Sequence, residues 1–169
     1  QAEKQTEPIE VRKTAKAAEK LMKEVGEEIM ATTSSRGVDP NISQKTLEKA
    51  EKASRMEPDN IGVLVTLGAI QNLLGQHEAA VKTFSKAHAL EPNTSQITMM
   101  LSQAQYSAGR YAEAVKTVTE GLETSRRILG EDDASTLHIL NQLAWMQATC
   151  PAAEARNGAE AVRNATRAC

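Results

Sequence analysis

The sequence repeats itself at an interval of 34 residues. Leu67/Leu101, Gly75/Gly109, Ala80/Ala114, Val81/Val115, Lys82/Lys116 and Thr83/Thr117 are paired at that offset. So are Lys52/Lys86, Ala53/Ala87, Glu57/Glu91 and Pro58/Pro92. A constant offset over so many pairs marks an array of one short unit, each copy packing on the next.

Each unit reads as two helices. In the clearest one, Leu64, Leu67, Ile70 and Leu74 recur at helical spacing and Gly75 ends the helix. Ala80, Val81, Phe84, Ala87 and Leu90 mark a second helix, which stops before Glu91-Pro92-Asn93 because proline biases its predecessor away from helix. Gly68, Ala80 and Ala87 let the paired helices approach closely. The aromatic residues number one Trp, two Tyr and one Phe. The core is therefore aliphatic, which disfavours a β-sandwich or barrel and suits small-residue helix packing.

At these positions the chain resembles the tetratricopeptide repeat. Leu64, Leu67-Gly68, Gly75, Ala80, Phe84, Ala87 and Pro92 match its pattern of large residue, Leu-Gly, turn glycine, Ala, aromatic, Ala and Pro. The resemblance implies an all-α fold, an α-solenoid of stacked antiparallel helix pairs with about eight helices in a right-handed superhelix. Residues 61–94 form one repeat. Residues 95–128 form the next, keeping Leu101, Gly109, Tyr111 and Ala114 but carrying Ser102 for Gly, Val118 for the aromatic and Gly121 for Ala.

The flanks are degenerate. Residues 9–58 read as an N-terminal repeat, with helices over 9–30 and 44–58 and a long Ser/Thr/Gly/Pro loop at 31–43. After residue 122, SRRILGEDDASTLHILNQLAW resembles the kinesin-light-chain variant of the repeat. LAWMQATCPAAEARNGAEAV resembles a terminal repeat of bacterial tetratricopeptide proteins, so 133–169 reads as a truncated terminal repeat with an enlarged turn. The whole chain, 1–169, is then one domain. It opens at Gln1 without a signal-peptide pattern, and Cys169 closes a helical pattern without a stop signal. A fragment, or a chain matured by cleavage, fits both ends; the compartment stays open between cytoplasm and periplasm.

Signals for catalysis are weak. His77, His88 and His138 fall on different helices with no metal-ligand spacing, and no nucleophile elbow or phosphate-cradling loop occurs. No catalytic residue, metal or cofactor is expected. The net charge of -2 argues against nucleic acid, and no apolar run reaches the ~20 residues of a membrane span. Cys150 and Cys169 belong to opposite ends of one helical hairpin, ~15–20 Å apart, beyond disulfide reach. The triplets beginning at Asn41, Asn93 and Asn164 match the N-glycosylation pattern, which chance accounts for in a polar chain.

What remains is partner binding. The family likeness implies that first helices line a concave face. Carried over position by position, it puts Val65, Ala69 and Asn72 on that face in one repeat, Gln96, Met99, Gln103 and Tyr106 in the next, and His138, Asn141 and Trp145 in the last. Val65 and Ala69 stand where chaperone-binding members hold the Lys and Asn of a carboxylate clamp, so no such clamp is expected. The amides suit a peptide backbone, and Met99, Tyr106 and Trp145 offer soft or aromatic contacts. These three serve either as partner anchors or as helix-packing residues. The expected function is a non-catalytic scaffold binding a protein or peptide segment. Two alternatives stay open: an adaptor arm of a larger bacterial enzyme of kinase or glycosyltransferase type, and a self-assembling solenoid with Ala161, Val162, Ala165 and Ala168 exposed on its last helix.

Overall fold

A computed structural model describes the backbone of residues 9–33 and 40–151 and the side chains of 13–29 and 44–151. These residues form seven helices and no strand: α1 Ile9–Thr33, α2 Pro40–Met56, α3 Ile61–Leu73, α4 His77–Leu90, α5 Ser95–Ser107, α6 Tyr111–Leu129 and α7 Ala134–Thr149. The expected eighth helix, the enlarged turn, Asn164 and Cys169 fall on residues 152–169, outside the described part, so the spacing of Cys169 from Cys150 lies outside it too. Helix occupies both ends of the stretch read as a loop at 31–43, continuing to Thr33 and resuming at Pro40. Proline is well placed there, since its missing N–H is an orphan of the first turn anyway.

Each helix packs antiparallel on its neighbour, as α1·α2, α3·α4 and α5·α6, and successive pairs stack through α2·α3, α4·α5 and α6·α7. The odd-numbered helices also meet one another, α3 against α5 and α5 against α7. The chain is thus an α-solenoid of two helical layers, with the first helices forming one wall.

The turns follow from local chemistry. Asn60 caps α3 by accepting a 3.1 Å hydrogen bond from the Val63 N–H. Gly75 and Gly109 adopt φ of 75° and 77°, the left-handed conformation that glycine enters freely. Their neighbours close the same bond, Gln76 N–H to Gln71 O and Arg110 N–H to Gln105 O, each at 2.8 Å. The acidic turn after α6 works similarly. Gly130 has φ 98°, and Asp133 caps α7 by accepting from the Ser135 N–H at 2.8 Å.

The core is aliphatic. Its centre joins Ala80, Val81, Phe84, Leu101 and Ala104, and a second cluster joins Ala114, Val118, Leu122, Ile139, Leu140, Leu143 and Met146. Gly68 is required by this packing: a Cβ there would lie 2.8 Å from Cε1 and Cζ of Phe84. One repeat later the sizes are exchanged, with Ser102 in the register of Gly68 and Val118 in that of Phe84, both fully buried. The two departures from the family pattern thus run in opposite directions, more bulk on the first helix and less on the second. At Gly121 the methyl of Thr98 occupies the space a side chain would need.

Buried amides repeat as well. Gln71, Gln105 and Gln147 hold the same register in α3, α5 and α7, all nearly inaccessible. Oε1 of Gln71 accepts a 2.7 Å bond from the Thr83 hydroxyl, whereas Oε1 of Gln105 is buried without a partner among the described residues. An unsatisfied buried acceptor carries its full desolvation cost. Gln105→Leu should therefore raise the unfolding free energy by about 1 kcal/mol, while Gln71→Leu lowers it by a similar amount. Urea titration of the two variants tests the opposite signs.

On the N-terminal pair, Lys49 binds Glu28 at 2.6 Å and Glu24 at 3.1 Å, and the Thr46 hydroxyl donates to Glu28 at 2.7 Å. The Lys49 bond, then that of Thr46, hold the Glu28 carboxyl below its ordinary value. The Glu28 and Glu24 hydrogen bonds raise the Lys49 ammonium above its own. A lowered carboxyl stabilises the fold above its unfolded value and loses that stabilisation as pH falls through the folded one. Glu28→Gln should thus cost stability at neutral pH and flatten the stability loss below about pH 4.5, read from thermal midpoints across pH. The effect is small, because both side chains are partly solvated.

Candidate functional site

The wall of first helices encloses an open groove of about 840 Å³. It is lined by Ala69, Asn72 and Leu73 of α3, Phe84 of α4, Gln96, Met99, Met100 and Gln103 of α5, and His138, Asn141, Gln142 and Trp145 of α7. None of these is Asp, Glu, Lys or Arg, and the surface is mostly apolar.

Eight of the sequence-derived positions line it together: Ala69, Asn72, Gln96, Met99, Gln103, His138, Asn141 and Trp145. Helical spacing explains this convergence. Residues three and four apart share one face, and three stacked helices present that face side by side. Val65 does not line the groove; it packs against the cluster of Leu64, Ala87 and Ile97.

Tyr106 sits beside the groove. Its ring meets Tyr111 edge-on and Trp145 at a tilt, both at 5.0 Å between centroids. The Thr149 hydroxyl donates to the Trp145 carbonyl at 2.8 Å, which leaves Tyr106 to donate its own hydroxyl to Thr149 at 3.0 Å. Tyr106 thereby braces Trp145, a residue that remains 46% exposed.

Four lining residues were not singled out by the sequence. Leu73 is the most exposed of the large apolar residues among those described, at 71%. Its signal was an apolar residue where the next repeat carries Ser107. Phe84 belongs to a second helix and reaches the groove where Gly68 presents no side chain. Met100 has no polar signature. Gln142 looks like a solvated amide, yet its Nε2 donates to the Met99 carbonyl at 3.2 Å and to the Ser102 hydroxyl at 3.1 Å, tying α7 to α5.

The polar groups of the groove differ in availability. Oδ1 of Asn72 is taken by Nδ1 of His77 at 2.7 Å, and Gln142 is engaged as above. Gln96, Gln103 and Asn141 make no side-chain hydrogen bond among the described residues. His77 and His88, expected on different helices, both lie on α4, eleven residues apart, and no group of three His, Cys, Asp or Glu side chains able to hold a metal occurs among the described residues. Nor, among them, is any helix long and apolar enough to cross a membrane. Cys150 is free and buried.

Residues 72–127 match the tetratricopeptide repeat family model. That span runs from the last turn of α3 to near the end of α6. The fold is also found in solved structures. One titled "MamA RS-1 ArsTM double mutant" matches with a TM-score of 0.60 at 9% identity, over 96% of this chain and 94% of that one. Another, "MamA MSR-1 C2", matches with a TM-score of 0.58 at 16% identity, over 93% and 91%. No curated protein matches the chain. At such identities the likeness concerns the tetratricopeptide-type helical solenoid alone.

Proposed function

We propose that this chain is a non-catalytic interaction scaffold that holds a protein or peptide segment in the groove walled by α3, α5 and α7. One observation carries the reading. Leu73 and Trp145, large apolar side chains left exposed, border a single uncharged concavity that three separate repeat units build together. Stable proteins seldom leave such side chains converging on one hollow without a partner for them. The repeat division behind this reading is 61–94, 95–128 and a terminal unit from 133, the last with kinesin-light-chain character in its acidic turn.

Binding here means shape and a few anchors, without turnover. Aromatic and methionine side chains supply most of the contact energy, and the amides fix the register. Trp145 is the single tryptophan, so its fluorescence reports on the groove directly. Peptides enriched on the protein from a random-peptide display library should shift that emission on titration. Enriched peptides that bind the Trp145→Ala variant as tightly as the parent would sink the reading.

A further inference from the structure

We infer that the corner where α6 turns into α7 is a docking surface for a second copy of this chain: Leu129 of each copy enters the hollow beside the turn of the other, and Arg127 of each faces Asp132 of the other.

The corner exists because α6 outruns its neighbours. α4 spans 14 residues from His77, whereas α6, one repeat later from Tyr111, spans 19. Thr98 of α5 meets α6 at Gly121, and α5 starts only three residues earlier, at Ser95. In this antiparallel pair, α6 beyond about residue 124 therefore has no α5 beside it. Residues 125–129 overhang and lean on α7, where the Ser125 and Thr136 hydroxyls bond at 2.8 Å. The buried stripe of Leu122 and Ser125 runs on into Leu129, four residues further along the same face. Yet Leu129 is 49% exposed, and Ile128 beside it 54%.

A hollow of about 110 Å³ opens next to this stripe, lined by Thr136, Leu137 and Leu140 of α7, Arg126 of α6, and Glu131 and Asp132 of the turn. It has room for the end of one aliphatic side chain. Leu129 lies three residues from Arg126, so knob and hollow sit side by side. A surface carrying both is complementary to itself: a two-fold rotation delivers each knob to the other's hollow and closes the pair. Charge repeats the arrangement. Arg127 and Asp132 stand on either side of Leu129 in the chain, both exposed, and neither has an ion pair among the described residues. The same rotation sets each against its opposite. None of these residues lines the groove, so pairing leaves it open.

Sedimentation equilibrium of the intact chain from about 10 µM to about 1 mM tests this. So small a contact pairs weakly, and dimers should appear in the upper part of that range with nothing larger. Leu129→Asp should weaken pairing about ten-fold or more. Arg127→Asp and Asp132→Arg should each weaken it about five-fold, and an equimolar mixture of the two should regain the parent's pairing, because both cross-contacts become opposite in charge again. Thermal unfolding verifies that the variants fold; should Leu129→Asp not fold, the charge-swapped pair decides. A strict monomer throughout, larger assemblies, pairing indifferent to a folded Leu129→Asp, or a mixture that pairs no better than its components would overturn the inference.

Discussion

Truncating Phe84 to alanine should cost about 3–5 kcal/mol of stability. Phe84 is the bulkiest of the fully buried side chains and lies between Gly68, Leu101 and Ala104, where backbone layers leave little room to collapse. The more informative result concerns its partner. Gly68→Ala in the parent protein places a methyl 2.8 Å from two ring carbons. The overpacking costs about 1–3 kcal/mol, more than the ~1 kcal/mol that alanine gains over glycine in a helix. Without the ring the clash disappears and only the helical gain remains. Gly68→Ala should therefore destabilise the parent and stabilise the Phe84→Ala variant. Urea unfolding of the four proteins gives the cycle directly. A cost of the same sign and size in both backgrounds would show that the ring contact is not its source.

The second large effect is on binding. Trp145→Ala should weaken a display-selected peptide by about thirty-fold or more, the behaviour of an aromatic anchor at the centre of an interface. Its effect on stability should stay near 1 kcal/mol, roughly the value of one aromatic pair, because the residue is half-exposed and its ring pairs with that of Tyr106. The two tyrosine variants separate touching from bracing. Tyr106→Phe keeps the ring contact and loses only the hydroxyl bond to Thr149, so binding should stay close to the parent's. Tyr106→Ala removes the brace, and the anisotropy of Trp145 fluorescence should fall together with affinity. If Tyr106→Ala left both unchanged, Trp145 would be positioned by its own helix alone.

The helical pairs from α3 to α6 could be read in the chain because their determinants are local. Apolar residues recur at helical spacing, and Gly75 and Gly109 punctuate each pair where a left-handed residue is needed. Helical spacing likewise brings eight of the positions carried over from the repeat to one groove. What escaped depends on three-dimensional company. Val65 and Ala69 stand on one helix face a turn apart, yet Val65 packs against Leu64, Ala87 and Ile97 while Ala69 borders the groove. Phe84 belongs to a second helix, and its access depends on the missing side chain of Gly68. Tyr106 occupies an inner-wall position, but the rings beside it turn it toward Trp145. The α2 start at Pro40 was hidden by turn-forming residues on its N-terminal side.

The exchange of bulk between Gly68 with Phe84 and Ser102 with Val118 limits how such an array can be rearranged. A first helix carries the complement of its own second helix. Pairing α3 with α6 would set a glycine against a valine and leave a void. Pairing α5 with α4 would crowd a serine against a phenylalanine. The smallest piece that can be duplicated, shuffled or grafted without repair is therefore the helical hairpin, and recombination breakpoints should be tolerated between hairpins rather than within them.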